Sequence, residues 1–369
     1  MSDRLTVVLE EVGERVPTMV GRYSTQMARA LVTTAPDGFE VAALSAKLSE
    51  ARALRTVEHV PGLAALRRTA VPARELREAW LHSFTTTPVR GLVHATSLMA
   101  PLRRDLHPGD QVTVTVHGLH SFSDRSARKQ RWFERALQRA LEIADGIVVP
   151  SNAVAEDLAL LHDVGERVRV VHPATSPSLL RAAADASAPA RLALPDEFVF
   201  ATTSPGARGE AARLVETIAS EAMPDVRVVV AGPVDWGGTT LAALAVEAGI
   251  PAGRIVMVGQ LDDAQLALAL RRALAHLHVS EQDALGLTLL DAAALGTPTV
   301  HPASRSLSEI SGGASVAAEG GPQELAAALA HLLGDDEERA RLRHLAKDRA
   351  QVLTWEAAAR DVWQLHAEL

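Results

Sequence analysis

A chain of 369 residues is too long for one compact sandwich or bundle and fits two ordinary domains or one large α/β unit. Hydrophobic residues at 47% against charged residues at 22% exclude a disordered chain, and the lack of any run of about 18 apolar residues excludes a membrane-spanning helix. The net charge of −8 is uneven, near +2 over residues 1–190 and −10 over 191–369, and an acidic second half speaks against nucleic-acid binding. With no cysteine there are no disulfides, thiolate metal sites or cysteine nucleophiles, which fits a cytoplasmic address. Lysine occurs three times, at Lys47, Lys129 and Lys347, so arginine carries nearly all the positive charge.

In chain order, LTVVLE (5–10) reads as a first strand. The acids that follow it interrupt any apolar export core, so no signal peptide is read. A helix is expected over 22–34, then strands FEVAAL (39–44), GLVHA (91–95) and QVTVTVH (111–117). Helices over 124–144 and 152–162 flank strands GIVVP (146–150) and VRVVH (168–172). The arginine-rich stretch 125–139 reads as a solvated helix face that could also touch anionic lipid at the inner membrane surface. Residues 176–197 mix Pro, Ser, Ala and Asp without a strand pattern, and we place an interdomain linker there.

Strands FVFATT (198–203), VRVVVAG (226–232), RIVMVG (254–259), LAHLHV (274–279) and TPTVHP (297–302) follow. They alternate with helices over 209–221, 262–273, 286–295 and 322–350. Several strands are continuously apolar, as in parallel sheets covered on both faces. The expectation is two doubly wound α/β domains facing across a cleft, with ligands beyond the carboxyl ends of the strands. Domain limits of 1–185 and 186–352 follow from the linker.

The sequence has no P-loop, no GxGxxG after the first strand, no GxSxG and no HExxH. His117 and His120 follow a strand pattern, so their spacing does not make a one-turn helical metal pair. Glu281 and Asp283 could hold a divalent ion but read better as a polar strand end.

The informative stretch is HVSEQDALGLTLLDAAALGTPTV (278–300). A buried strand ends at Ser280, an acidic loop follows, and a helix starts near Gly286 and stops at Gly296. The first amides of that helix, from Gly286, Leu287 and Thr288, together with the helix dipole, would form an anion site. Asp283 and Asp291 bracket it, and carboxylates accept hydroxyl hydrogen bonds from sugars or ribose.

SEQDALGLTLLDAAALGTP resembles the signature of glycosyltransferase family 4, the group 1 retaining enzymes, S-x-x-E-G-F-G-L-P-x-x-E-A-x-A-x-G-x-P. Ser280, Gly286, Leu287, Ala292, Ala294, Gly296 and Pro298 match; Asp283 and Asp291 fall where the family has its two glutamates; Thr288 replaces Pro and Ala284 replaces Gly. MVGRYSTQMARAL (19–31) resembles the family's opening loop and helix, with Met19 for its first glycine. VTVTVHGLHSF (112–122) places His117 at its conserved turn. GLVHATSLMAP (91–101), IVVPSNAVAEDL (147–158), VRVVHPATSPSLL (168–180), VGQLDDAQLALAL, SLSEISGGASV (306–316) and LTWEAAARDVW (353–363) continue the similarity along nearly the whole chain.

The resemblance implies a GT-B fold whose first domain is completed by a C-terminal helix over 353–369, and a retaining, metal-independent hexosyltransferase that needs no cofactor beyond its nucleotide diphosphate sugar substrate. A UDP- or GDP-hexose is the implied donor, and a saccharide, lipid-linked or small molecule the acceptor. It implies catalytic roles for His117, Arg208 and Asp283, and a donor site of Gly21, Arg208, Asp283, Gly286, Leu287, Thr288 and Asp291. Arg208 would stand where the family carries a lysine, and Asp for Glu shortens both acidic side chains by about 1.5 Å. A cell-envelope role in bacteria, with peripheral contact at the inner membrane face, is the family's common setting. The alternative is a degenerate, non-catalytic member acting as a partner subunit or a sugar- or nucleotide-binding module. A pyridoxal-dependent phosphorylase is discounted, because Lys347 is the one lysine in the C-terminal half; a sugar epimerase would turn over donor without acceptor.

Overall fold

The computed structural model describes residues 3–14, 18–84, 89–103, 108–119, 127–185, 192–204, 208–233 and 240–369. The chain forms two compact units, Met1–Pro173 with Trp355–Leu369, and Ala174–Thr354.

In the N-terminal unit, strands β1 (Asp3–Leu9), β2 (Phe39–Ser45), β3 (Ala65–Arg68), β4 (Leu92–Ala95), β5 (Gln111–Thr115), β6 (Gly146–Val149) and β7 (Val168–Val170) make one sheet. Its order is β3-β2-β1-β4-β5-β6-β7, with every pair parallel. Helices α1 (Met19–Thr33), α2 (Glu50–His59), α3 (Ala73–Leu81), α4 (Ala127–Ile143) and α5 (Asn152–Leu161) supply crossovers. The apolar runs behave as their sequence demands: Leu5, Val7, Val8, Leu9, Ile147, Val148 and Val149 are all buried. Strand order reverses between β1 and β4, the point where such sheets open a crevice for ligands.

The C-terminal helix, Trp355–Glu368, completes this unit. Trp355 is buried edge-on against Tyr23, ring centroids 5.4 Å apart. The Trp363 indole donates to the Leu31 carbonyl at 3.3 Å, and the His366 ring lies 3.1 Å from both Thr113 Oγ1 and Gln111 Oε1. The Trp363 indole and the His366 imidazole each bury an apolar body and find a partner for a polar edge, whereas the buried Trp355 Nε1 has none among the described residues.

The second unit opens with α6 (Pro177–Ala184) and contains β8 (Phe198–Thr202), β9 (Arg227–Ala231), β10 (Ile255–Gly259), β11 (His276–Leu277), β12 (Thr299–Pro302) and β13 (Val316–Ala318). These strands are also all parallel, in the order β10-β9-β8-β11-β12-β13, so this sheet switches between β8 and β11. Helices α7 (Arg208–Ala219), α8 (Leu241–Glu247), α9 (Asp263–Arg272), α10 (Leu287–Ala294), α11 (Arg305–Ser311), α12 (Pro322–Gly334) and α13 (Asp336–Val352) complete it. Phe198, Val199, Phe200 and Ala201 are fully buried, with Val228, Val229 and Val230 beside them.

The boundary differs from the sequence expectation. The units divide after Pro173, where 185/186 was expected, because part of the supposed linker is structured. Pro177 starts α6, Leu179 is fully buried, the Thr175 hydroxyl donates to the Leu290 carbonyl at 2.8 Å, and Arg271 donates to the Ala183 carbonyl at 2.8 Å. Residues 186–191 of that stretch lie outside the described residues, as does His120. The expected helix 322–350 is two helices, since the Asp335 carboxylate caps the amide of Glu338 at 2.9 Å and starts a new one.

Candidate functional site

In the N-terminal unit, the carboxyl ends of β1, β4 and β5 open into a cavity of about 340 Å³. Glu10 stands one residue past β1 and is 6% exposed. Its carboxylate accepts from the Arg77 guanidinium, at 2.6 Å from Nε, and from the Ser97 hydroxyl. Burial works against the Arg77 charge, but Glu10 and then Glu11 outweigh it and raise its pKa. Above Arg77 lies the Trp132 ring, 5.5 Å from guanidinium carbon to centroid, and the Trp132 indole donates to the Arg77 carbonyl at 3.3 Å.

His117, just beyond β5, lines the same cavity. Its Nε2 lies 2.8 Å from the Thr96 carbonyl, which can accept and never donate, so Nε2 carries the proton. Burial lowers the His117 pKa to about 4, partly offset by the Thr96 hydrogen bond and Glu11, so the ring is neutral at pH 7. Its Nδ1 is then a lone pair, and it has no partner among the described residues. The Tyr23 ring packs edge-on against His117, centroids 4.7 Å apart, and holds the imidazole plane.

Gly21 was expected to approach a diphosphate. It lies inside the first turn of α1, its amide donates to the capping Thr18 hydroxyl at 3.0 Å, and it is buried. A Cβ there would sit 2.4 Å from the Glu11 carbonyl oxygen. Glycine is needed because helix and loop backbone touch, and its amide is already used.

In the second unit, Gly286 caps the N-terminus of α10 with a left-handed φ of 55°. The amides of Leu287 and Thr288 have no acceptor among the described residues, as the sequence predicted. Gly286 differs: its amide is taken by Asp283 Oδ1 at 3.0 Å, and the same oxygen accepts the Leu285 amide at 2.9 Å. Asp283 is short enough to fold back on its own loop, and this Asx-type turn is what it does with one oxygen. Its other oxygen lies 3.5 Å from His278 Nε2. Asp291, one turn into α10, is 1% exposed. Arg208 heads α7 with its side chain exposed.

Sequence reasoning missed Glu210. It lies in the first turn of α7, accepts the Ser204 amide at 3.3 Å and the Ser280 hydroxyl, and has His278 and Asp283 for neighbours. Burial pushes its carboxyl up, and Asp283 pushes it further. His278, Glu10, Arg77 and Trp132 were missed as well. For Glu10 the available signal was a charge ending an apolar run, in VVLE. Among the described residues no group of three His, Asp or Glu is arranged to hold a metal ion, and no helix is long and apolar enough to cross a membrane.

Two family models match the sequence, one described as Glycosyltransferase Family 4 over residues 20–179, the other as Glycosyl transferase-like over residues 208–364. No curated protein matches. The fold is similar to that of sucrose-phosphate synthase from Thermosynechococcus elongatus, at 20% identity and a TM-score of 0.74, covering 99% of this chain and 98% of that one. HepE of Anabaena, crystallised with UDP and glucose, aligns at 15% identity and 0.68 over 99% and 100% of the two chains. WaaG, a glycosyltransferase involved in lipopolysaccharide biosynthesis, aligns at 13% and 0.64 over 97% and 98%. Matched over both units and carrying two switch-point parallel sheets, the chain belongs to the group 1 glycosyltransferases of family 4 and has the GT-B fold.

Proposed function

We propose that the protein moves a hexose from a UDP- or GDP-hexose to a saccharide, lipid-linked or small-molecule acceptor, with retention and without a metal ion. The observation that carries this reading is the pair of open amides, Leu287 and Thr288, at the N-terminus of α10 where the second sheet switches direction. As the nucleoside diphosphate leaves, negative charge grows on its terminal phosphate, and fixed amides with the Arg208 guanidinium would stabilise it. Asp291 would bind ribose hydroxyls. The second oxygen of Asp283 would meet the hexose, and His117 Nδ1 would accept a sugar hydroxyl. HepE binds UDP and glucose, which supports the donor class. In this proposal the second unit takes the donor and the N-terminal unit the acceptor.

Glu210 favours a second reading, a binding module without turnover, because a buried carboxylate beside Asp283 opposes the extra negative charge that grows on the leaving phosphate only during transfer. One experiment separates the two. Thermal unfolding is followed with UDP, GDP, ADP and dTDP, then donor hydrolysis and product anomer with the best binder, with and without a chelator. Transfer predicts a stabilising diphosphate, a response largely lost in Arg208→Ala, and chelator-insensitive turnover to a retained product. Stabilisation without turnover supports the module, and no response to any diphosphate overturns both.

A further inference from the structure

We propose that the acceptor is a compact molecule bearing an acidic group, phosphate or carboxylate, held by the cationic rim of the N-terminal cavity. This rests on the transferase reading and deepens it. Three carboxylates and four basic side chains line the cavity among the described residues. Glu10 is engaged by Arg77 and Ser97, and Glu11 by Thr18 and Arg77. Glu78 faces Arg128 at 3.6 Å. Every acid of the lining therefore has a cation or a hydroxyl. Arg74 and Lys129 also line the cavity, and neither has an ion-pair partner among the described residues. Among the described residues the lining therefore carries a net charge of about +1, with its two unpaired cations at the rim, in a chain whose net charge is −8.

The interior specifies the rest of the ligand. Trp132, with Arg77 over its ring, forms a flat apolar wall for a ring-bearing molecule. His117 Nδ1 is a neutral acceptor without a partner, so it selects a hydrogen-bond donor such as a hydroxyl. A volume of about 340 Å³ lies at the low end of the ~300–1,000 Å³ common for small-molecule sites, which suits a compact acceptor. Together these select a hydroxylated ring with an anion at one end. A soluble phosphate ester and the phosphate of a lipid-linked sugar share that chemistry.

The test is calorimetric titration of the full chain with glucose, glucose 6-phosphate and glucuronate. Binding to vesicles containing phosphatidylglycerol is measured alongside. Both arms are repeated with the double variant Arg74→Gln, Lys129→Gln, whose two sites are exposed and remote from the core. UDP stabilisation is followed in parallel. The expected result is that an acidic ligand binds about tenfold or more tightly than glucose, weakens with salt, and loses that advantage in the double variant. Vesicle binding that the double variant abolishes, without soluble binding, supports the proposal and assigns the anion to a lipid. Equal affinity for glucose and glucose 6-phosphate, or an acidic preference intact in the double variant, overturns it. UDP stabilisation reports on the donor reading separately: if it persists while the acidic preference is absent, the acceptor proposal alone falls. If it is absent, and GDP, ADP and dTDP fail as well, while the anion binds, the transferase reading falls.

Discussion

Replacing Asp283 separates a turn-forming carboxylate from a ligand-binding one. One of its oxygens accepts two backbone amides, at 2.9 and 3.0 Å, and the side chain is 14% exposed. Asp283→Ala leaves both amides without that acceptor. At about 1–1.5 kcal/mol for each part-buried amide, the loss is about 2–3 kcal/mol. For a unit of this size, each kcal/mol moves Tm by about 2–4 °C, so unfolding of the second unit should fall by about 4–12 °C. Asp283→Asn keeps a carbonyl oxygen in the same place and should cost under about 1 kcal/mol. Calorimetry of both variants, alone and with a UDP- or GDP-hexose, is the assay. Asparagine is expected to retain the fold while weakening the donor response if the free oxygen meets the sugar. Two results would refute the reasoning: alanine as stable as the parent, or asparagine as unstable as alanine.

Acid should weaken both units, because burial also depresses histidines of the second, His301 to about 4 and His276 well below its ordinary value. Burial lowers the pKa of His94 to about 3 and of His117 and His366 to about 4, whereas an unfolded histidine titrates near 6.5. Between those values the unfolded chain binds more protons, so stability is full above about pH 6.5 and falls toward pH 4, by up to about 1.4 kcal/mol per pH unit per histidine. Urea unfolding across that range should show the slope, and His117→Gln should flatten it by one histidine; a profile independent of pH contradicts the neutral assignment. Trp355→Ala removes a ring that is 2% exposed and should cost the N-terminal unit about 3–5 kcal/mol while leaving the second unit's transition in place, as limited proteolysis of each unit would report.

Much of this architecture was readable in the amino-acid order. The strands found from continuous apolar runs, such as FVFATT and VRVVVAG, are central or near-central, where burial on both faces leaves no polar alternation to obscure them. The two that escaped, β3 and β13, are edge strands, half-wetted and three or four residues long. Helix α6 was lost because Pro and Ser looked like linker chemistry, whereas here Pro177 simply begins a helix. At the site, the start of α10 was legible from Gly286, since a left-handed cap leaves a composition mark. The use of the Gly286 amide was not, because nothing in the residue order says that Asp283 turns back on its own loop. Glu10, Arg77 and Trp132 come from three distant segments, and only the folded sheet brings them together.

The C-terminal helix has a consequence for how the molecule is made. The N-terminal unit is built from chain on both sides of the second, up to Pro173 and again from Trp355 to Leu369. The second unit is one continuous segment and can reach its native state while translation is still under way. A nascent chain therefore carries an incomplete first lobe, its Tyr23 and Leu31 waiting for tryptophans not yet synthesised, until the segment beyond Thr354 has emerged.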